Sequence, residues 1–151
     1  MSLLDSLSPA EAALLDQSRR AVLATIRADG RPRLVPIAFA ADVATDVLYS
    51  PLDEKPKSFA DPRRLARVRD ITARPAVTLL VDRWSEDWTQ LAWLRLDGRA
   101  TLVEAAGEDD EELRAAIVLL RGRYKQYAEH RLEARPLLRI AIESFRSWAA
   151  A

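Results

Sequence analysis

Cysteine is absent from this chain, so disulfides, thiolate nucleophiles and Cys-ligated metals are excluded. Histidine occurs once, at His130, and no HxxxH-type or His/carboxylate metal set can be built around it. The four glycines do not cluster, so neither a P-loop nor a dinucleotide-binding fingerprint is present. No apolar run approaches a membrane span. The N-terminus, Met1-Ser-Leu-Leu-Asp-Ser6, has neither the basic start nor the long apolar stretch of a signal peptide. A cytoplasmic protein without a membrane or metal partner is the expectation. Basic and acidic residues number 23 each, a balance that argues against a general nucleic-acid binder.

What remains is an ordinary globular composition, 49% hydrophobic and 30% charged over 151 residues. That length predicts one domain, 1–151, with a real core and no room for a separate substrate domain. Ser8-Pro-Ala-Glu11 reads as a capping box opening a short helix to about Arg20. Ala21 to Arg27 is apolar on both faces and reads as a buried strand. Asp29-Gly30 is a hairpin turn signal, and Arg33 to Ala40 returns as a second strand. Asp46 to Ser50 is a third. Asp61-Pro62 opens a helix to about Thr72, and Ala76 to Asp82 is a fourth strand. Leu91 to Glu104 alternates: Leu94, Leu96, Ala100 and Leu102 on one face, Trp93, Arg95, Asp97, Arg99 and Thr101 on the other. An acidic run from Glu108 to Glu112 starts a third helix with the apolar stripe Leu113, Ile117, Leu120, Tyr124. Leu137 to Trp148 closes the chain as a sixth strand. The pattern predicts a mainly β, α+β protein: a small antiparallel barrel with helices at its openings.

The charge is balanced overall but not locally. Lys55, Lys57, Arg63, Arg64, Arg67, Arg69 and Arg74 face only Asp61 and Asp70 across that stretch. Together with Tyr49, Ser50 and Ser58, the two lysines offer hydroxyl and ammonium donors suited to a phosphate. A solvated charged loop is the plain alternative, but Pro56 stiffens the segment between the lysines. Pro36 interrupts an otherwise regular strand, which marks either a sheet edge or a broken ladder whose backbone can bond a heteroaromatic ring. Four tryptophans are many for this length. Trp93 shares an outward face with Arg95, and such a face needs cover from a partner subunit or a flat ligand. Trp84 and Trp88 flank Ser85-Glu-Asp87, as expected of a pocket rim or lid. With no triad or suggestively spaced carboxylate pair in view, the catalytic residues stay unknown. If the protein is an enzyme, a redox cofactor carries the chemistry and the protein positions it.

Ala21-Val-Leu-Ala-Thr25, Asp29-Gly-Arg-Pro-Arg-Leu-Val-Pro-Ile37, Leu48-Tyr-Ser50 with Lys55-Pro-Lys57, and Arg64 to Ile71 followed by Pro75 fall in a familiar order. Glu86-Asp-Trp88, Leu91-Ala-Trp93 and Gly98-Arg-Ala100 complete it. Along nearly its whole length the chain resembles the pyridoxamine 5′-phosphate oxidase-like split barrels. Within them it is most similar to the deazaflavin (coenzyme F420) oxidoreductases. The resemblance implies a six-stranded antiparallel split β-barrel and a homodimer with two cofactor sites at the interface. It implies a ring lying against Val35, Pro36 and Ile37, and a phosphate held by Tyr49, Ser50, Lys55 and Lys57 with Ser58 or Arg64. It implies Trp93, with Arg95 beside it, reaching in from the other subunit, and Trp148 approaching on the last strand. The oxidase proper has an Arg-Lys pair where this chain has Lys55-Pro-Lys57, and the substrate-recognising arginines near its C-terminus have no convincing equivalent here. Vitamin B6 oxidation is therefore not the expected reaction.

The leading expectation is hydride transfer between reduced F420 and an unsaturated small molecule, with Trp84 or Trp88 over the substrate. An FMN-dependent oxidase or reductase on the same barrel is one alternative. A non-catalytic F420-binding or storage protein is another.

Overall fold

Ser8 opens the first helix as its sequence predicts. In this computed structural model, which describes residues 1–52, 61–104 and 110–150, helix α1 (Pro9–Gln17) starts with a complete capping box. The Ser8 hydroxyl accepts the Glu11 N–H and the Glu11 carboxylate accepts the Ser8 N–H, so two otherwise orphaned donors are satisfied reciprocally. Strands β1 (Ala21–Ile26) and β2 (Pro32–Ile37) form the expected hairpin, turned at Gly30 with a φ of +84° that a glycine adopts without strain.

The run expected as one strand from Arg33 to Ala40 is two. After β2 the chain breaks at Ala38 and Phe39, and β3 (Ala40–Asp42) pairs instead with β4 (Val47–Pro51). The break has a local cause. Phe39 is buried, and the Tyr124 hydroxyl accepts its N–H at 3.0 Å and lies 3.0 Å from its carbonyl, taking the place of a ladder partner. The sheet therefore has seven strands rather than six. The second helix is also interrupted. Asp61 and Pro62 open only a 3₁₀ turn (Pro62–Arg64), Leu65 is extended, and α2 runs from Ala66 to Ala73.

β5 (Ala76–Arg83), β6 (Ala92–Val103), α3 (Asp110–Arg123) and β7 (Leu137–Ala149) follow. All strand pairs are antiparallel, in the order β2-β1-β5-β6-β7-β4-β3. The two outermost strands, β2 and β3, are joined by only two residues, so the sheet must curl until its edges meet. Pro36 accordingly lies on an edge strand, where a missing ladder donor costs little.

Leu23, Leu79, Leu94, Leu96, Leu138 and Ile140 fill the interior with no measurable exposure. Each such side chain contributes roughly 1.5–3 kcal/mol relative to an exposed one. A second core lies on the other side of β4 and β7, where Val47, Tyr49, Val103 and Leu137 meet Leu113, Ile117 and Leu120 of α3. The pairing of β6 with β7 slips by one residue at Asp97/Gly98, leaving Glu143 as the extra residue. Beyond the slip, β7 changes which residues face in: Ile140 and Ile142 point inward before it, Phe145 after it.

Candidate functional site

Three of the expected site residues, Pro36, Trp93 and Trp148, lie on the outer face of the sheet. Register aligns Pro36, Val22, Leu80, Arg95 and Arg146 in one row across five strands. The adjoining row holds Asp82, Trp93 and Trp148. Successive strands lie about 4.8 Å apart, so Pro36 and Arg95 are separated by roughly 14 Å along the first row. A groove of about 510 Å³ opens on this face, lined by Leu80, Asp82, Trp84, Trp93, Arg95 and Trp148 among others. The Arg95 guanidinium lies 5.6 Å from the centroid of the Trp93 ring, a cation–π placement.

Three of the expected aromatic residues, Trp84, Trp93 and Trp148, are thus brought together. Trp88 is not. It stands 68% exposed in a 3₁₀ turn (Trp88–Gln90) capped by Asp87, outside the groove lining. The Arg83 Nε donates to the Gln90 carbonyl at 2.7 Å and closes the loop on which both Trp84 and Trp88 sit. Of the three ring-edge candidates, Pro36 alone presents its side chain to the outer face. Val35 and Ile37 turn inward and pack in the core, leaving only their backbone available to a ligand.

The phosphate candidates divide as well. Lys55, Lys57 and Ser58 lie outside the described residues. Arg64 ends the 3₁₀ turn after them and is exposed. Tyr49 and Ser50 are neighbours on β4 and so point to opposite sides. Tyr49 faces α3, where its hydroxyl donates to Glu112 Oε1 at 2.8 Å, and Arg139 Nε donates to the same oxygen at 2.6 Å. Burial first, then the bond to Glu112, pushes the Tyr49 phenol far above its ordinary range. Burial alone would raise the Glu112 carboxyl, but the bonds from Tyr49 and Arg139 outweigh it and hold it below the usual range. The Tyr49 hydrogen is therefore engaged by Glu112 in this structure. Ser50 is the opposite case. Its Oγ is buried with no hydrogen-bond partner among the described residues, one residue before β4 ends. An orphaned donor at the end of β4 is compatible with a ligand held there.

Asp70 is a contributor that sequence reasoning passed over. This α2 residue is 4% exposed and accepts from Thr25 Oγ1 at 2.6 Å and Arg33 Nε at 2.7 Å. Burial opposes its ionisation, but those two bonds and the Arg33 and Arg74 charges prevail and lower its pKa. Arg74 Nε also donates to the Ile26 carbonyl at 2.9 Å. These bonds clip α2 onto the β1–β2 hairpin whose edge carries Pro36. An isolated Asp within a cationic stretch was the signal available for it. Among the described residues, no group of three or more His, Asp or Glu side chains could hold a metal. No helix among them is long and apolar enough to cross a membrane.

The family model of pyridoxamine 5′-phosphate oxidase matches residues 7–149. The chain belongs to that family. Solved structures agree on the fold of this oxidase-family member. An FAD-binding protein from Mesorhizobium loti is 22% identical with a TM-score of 0.68, covering 96% of both chains. The haem-storage protein of Vibrio cholerae is 17% identical with a TM-score of 0.70, covering 99% of this chain and 95% of its own. An F420 reductase is 20% identical with a TM-score of 0.63, covering 93% of this chain and 98% of its own. No curated sequence matches the chain. At these identities the neighbours speak for the split-barrel fold of the family, with seven strands here.

Proposed function

We propose that this oxidase-family barrel is an oxidoreductase that binds coenzyme F420 and passes hydride between it and an unsaturated small molecule. The observation that carries the reading is the tryptophan-walled groove, with Arg95 over Trp93, on the open outer face. A flat conjugated ring is the ligand such walls suit. In this reading Lys55, Lys57, Ser58 and Arg64 hold the phosphate, and the orphaned Ser50 hydroxyl supplies a further donor at that end. Pro36 and the backbone of Val35 and Ile37 border the ring. The protein works as a homodimer, in which Trp93 and Trp148 come from the second subunit. The row of Pro36, half-buried Val22 and Leu80, with Leu34 one rung along, is the apolar surface that such a dimer would cover. It acts in the cytoplasm.

When bound, the deazaflavin supplies a hydride at its C5 position. The chain's own residues bind, orient and exclude water. Trp84, 69% exposed on a loop closed by Arg83, covers the substrate side. Tyr49 delivers no proton, because its hydroxyl is held by Glu112.

A cofactor-binding or storage role is the second reading. It is favoured by the groove lining, in which, among the described residues, Asp82 is the one side chain of a type that commonly moves protons. Parallel tryptophan-fluorescence titrations with F420 and FMN separate these readings. Strong quenching by F420 and turnover of a panel of unsaturated substrates are the expected results. Tight FMN binding without any response to F420 would replace the deazaflavin by a flavin. F420 binding without turnover would favour storage. Lys57→Ala is expected to weaken F420 about tenfold or more, the usual weight of a bond between charged groups. An unchanged affinity would mean the phosphate is held elsewhere.

A further inference from the structure

Where β6 and β7 pair beyond their slip, Trp93 stands directly opposite Trp148, and two residues along, Arg95 stands directly opposite Arg146. Residues two apart on a strand share a face, so a tryptophan rung and an arginine rung lie side by side on the outer surface. Like charges directly opposite one another are unfavourable in a sheet. Both arginines are exposed. Among the described residues neither has a hydrogen bond or an ion pair, and Arg95 has only the Trp93 ring.

The surroundings make this conspicuous. Arg83 donates to a backbone carbonyl, Arg99 pairs with Glu143, and Arg139 pairs with Glu112. Of the acids one rung from Arg95, Asp97 accepts the Thr78 hydroxyl at 2.6 Å, and Asp82 lies in the adjoining row with Trp93, with no ion pair to Arg95. Nearby arginines have partners; this rung has two cations and none.

The geometry points to an anion-recognition site formed by Arg95 and Arg146, made selective by Trp93 and Trp148 for a planar aromatic ligand bearing a carboxylate or phosphate. Two adjacent guanidinium forks match the oxygens of such a group and, once it is bound, no longer repel each other. The indoles offer stacking faces for the ring. The adjoining groove, at about 510 Å³, has the size of a small-molecule pocket. The site rests on strand register alone and does not depend on which cofactor the barrel binds. The anion can belong to a reactant or to the side chain of a flavin-like cofactor, since both join an aromatic ring to an acid.

Calorimetric titration of the full chain with 2-naphthoate and its neutral counterpart 2-naphthalenemethanol tests the site, wild type against the Arg95→Gln/Arg146→Gln double variant. The wild type is expected to prefer naphthoate about tenfold or more, as bonds to charged groups allow, and the double variant to lose that preference. FMN against riboflavin, in the same two proteins, identifies the source. If the double variant loses the advantage of FMN over riboflavin, the recognised anion is the cofactor's. If it keeps that advantage while losing the preference for naphthoate, the anion belongs to a second ligand. No naphthoate preference and no FMN advantage in the wild type, or both unaltered in the double variant, overturns the site. So does a double variant whose only defect is a weaker dimer by light scattering, which would assign the arginines to carboxylates of a second copy. A ligand-free readout is independent of all these. Arg146→Gln removes the repulsion while leaving the Arg95–Trp93 contact in place, and should melt ~1–2 °C above the wild type at low salt. A wild type more stable than this variant overturns the premise. Failure of F420 to bind while the naphthoate result holds would sink the proposed cofactor and leave this site standing.

Discussion

One ribbon, β6 paired with β7, contains two regions built on opposite terms. In the half from Leu137 to Ile142, β7 lies between β4 and β6, with Leu137, Leu138, Ile140 and Ile142 buried. In the half from Ser144 to Ala149 it pairs with β6 alone, and Ser144, Arg146, Ser147 and Trp148 are exposed. Arg139 and Arg146 make the contrast concrete. The first binds a carboxylate that also takes a tyrosine hydroxyl; the second faces another arginine. A polar network whose members are all satisfied stabilises a fold and leaves nothing for a ligand. A sheet surface with charges opposed and aromatics uncovered does the reverse. The first half holds the barrel together, and the second offers it to something else.

The largest expected effect comes from breaking the junction between the halves. A Cβ added at Gly98 would lie 2.3 Å from the Ala141 carbonyl oxygen, far inside any real contact and against backbone rather than a yielding side chain. Gly98→Ala should therefore cost about 4 kcal/mol, the upper range for a single substitution, and abolish the slip that sets the register of both rungs. Urea unfolding measures it; a change under about 1 kcal/mol would mean the two strands can separate here at little cost.

Next come truncations either side of the junction. Leu138→Ala, at zero exposure in the first half, should cost about 3 kcal/mol through lost burial and the cavity left behind. Trp148→Ala, 48% exposed in the second half, should change stability by about 0.5 kcal/mol or less, while weakening the binding of aromatic ligands. Equal losses of stability in the two variants would erase the distinction between the regions.

How much of this could be read from residue order follows the same division. The Ser8 cap, the hairpin at Gly30, the alternation of β6 and the outward Trp93/Arg95 face depend on neighbours in sequence, and all are as expected. The Arg95–Arg146 rung depends on register between strands about fifty residues apart. Strict alternation along β7 would have put Arg139 and Arg146 on opposite faces, and only the extra residue at Glu143 brings both outward. The bond that engages the Tyr49 hydroxyl could not be read from its neighbours, because Glu112 lies 63 positions away on a helix that packs over β4. The split of the second strand was equally hidden, since Phe39 leaves the ladder for the hydroxyl of Tyr124, 85 positions on. Local chemistry is legible in a chain; which polar group has already found a distant partner is not.

The smallest effect, and the finest test of the contrast, is electrostatic. Glu112 is held below its ordinary pKa of 4.5 in the folded state, so it contributes stability that is present above the unfolded value and lost as pH falls through the folded one. The carboxylate is about a third exposed, which screens the pair and limits the contribution to about 1 kcal/mol. Glu112→Gln should therefore be slightly less stable than the wild type near neutral pH, and the two melting curves should converge as the pH drops below about 4. Arg139→Gln should follow the same course, because it removes the other partner of the same bond. Arg146→Gln should not. It has no carboxylate to release, so its difference from the wild type stays flat across that pH window. An Arg146 variant that tracked the Glu112 variant through the acid transition would reveal a buried partner for Arg146 and bring the second half of the ribbon under the same rule as the first.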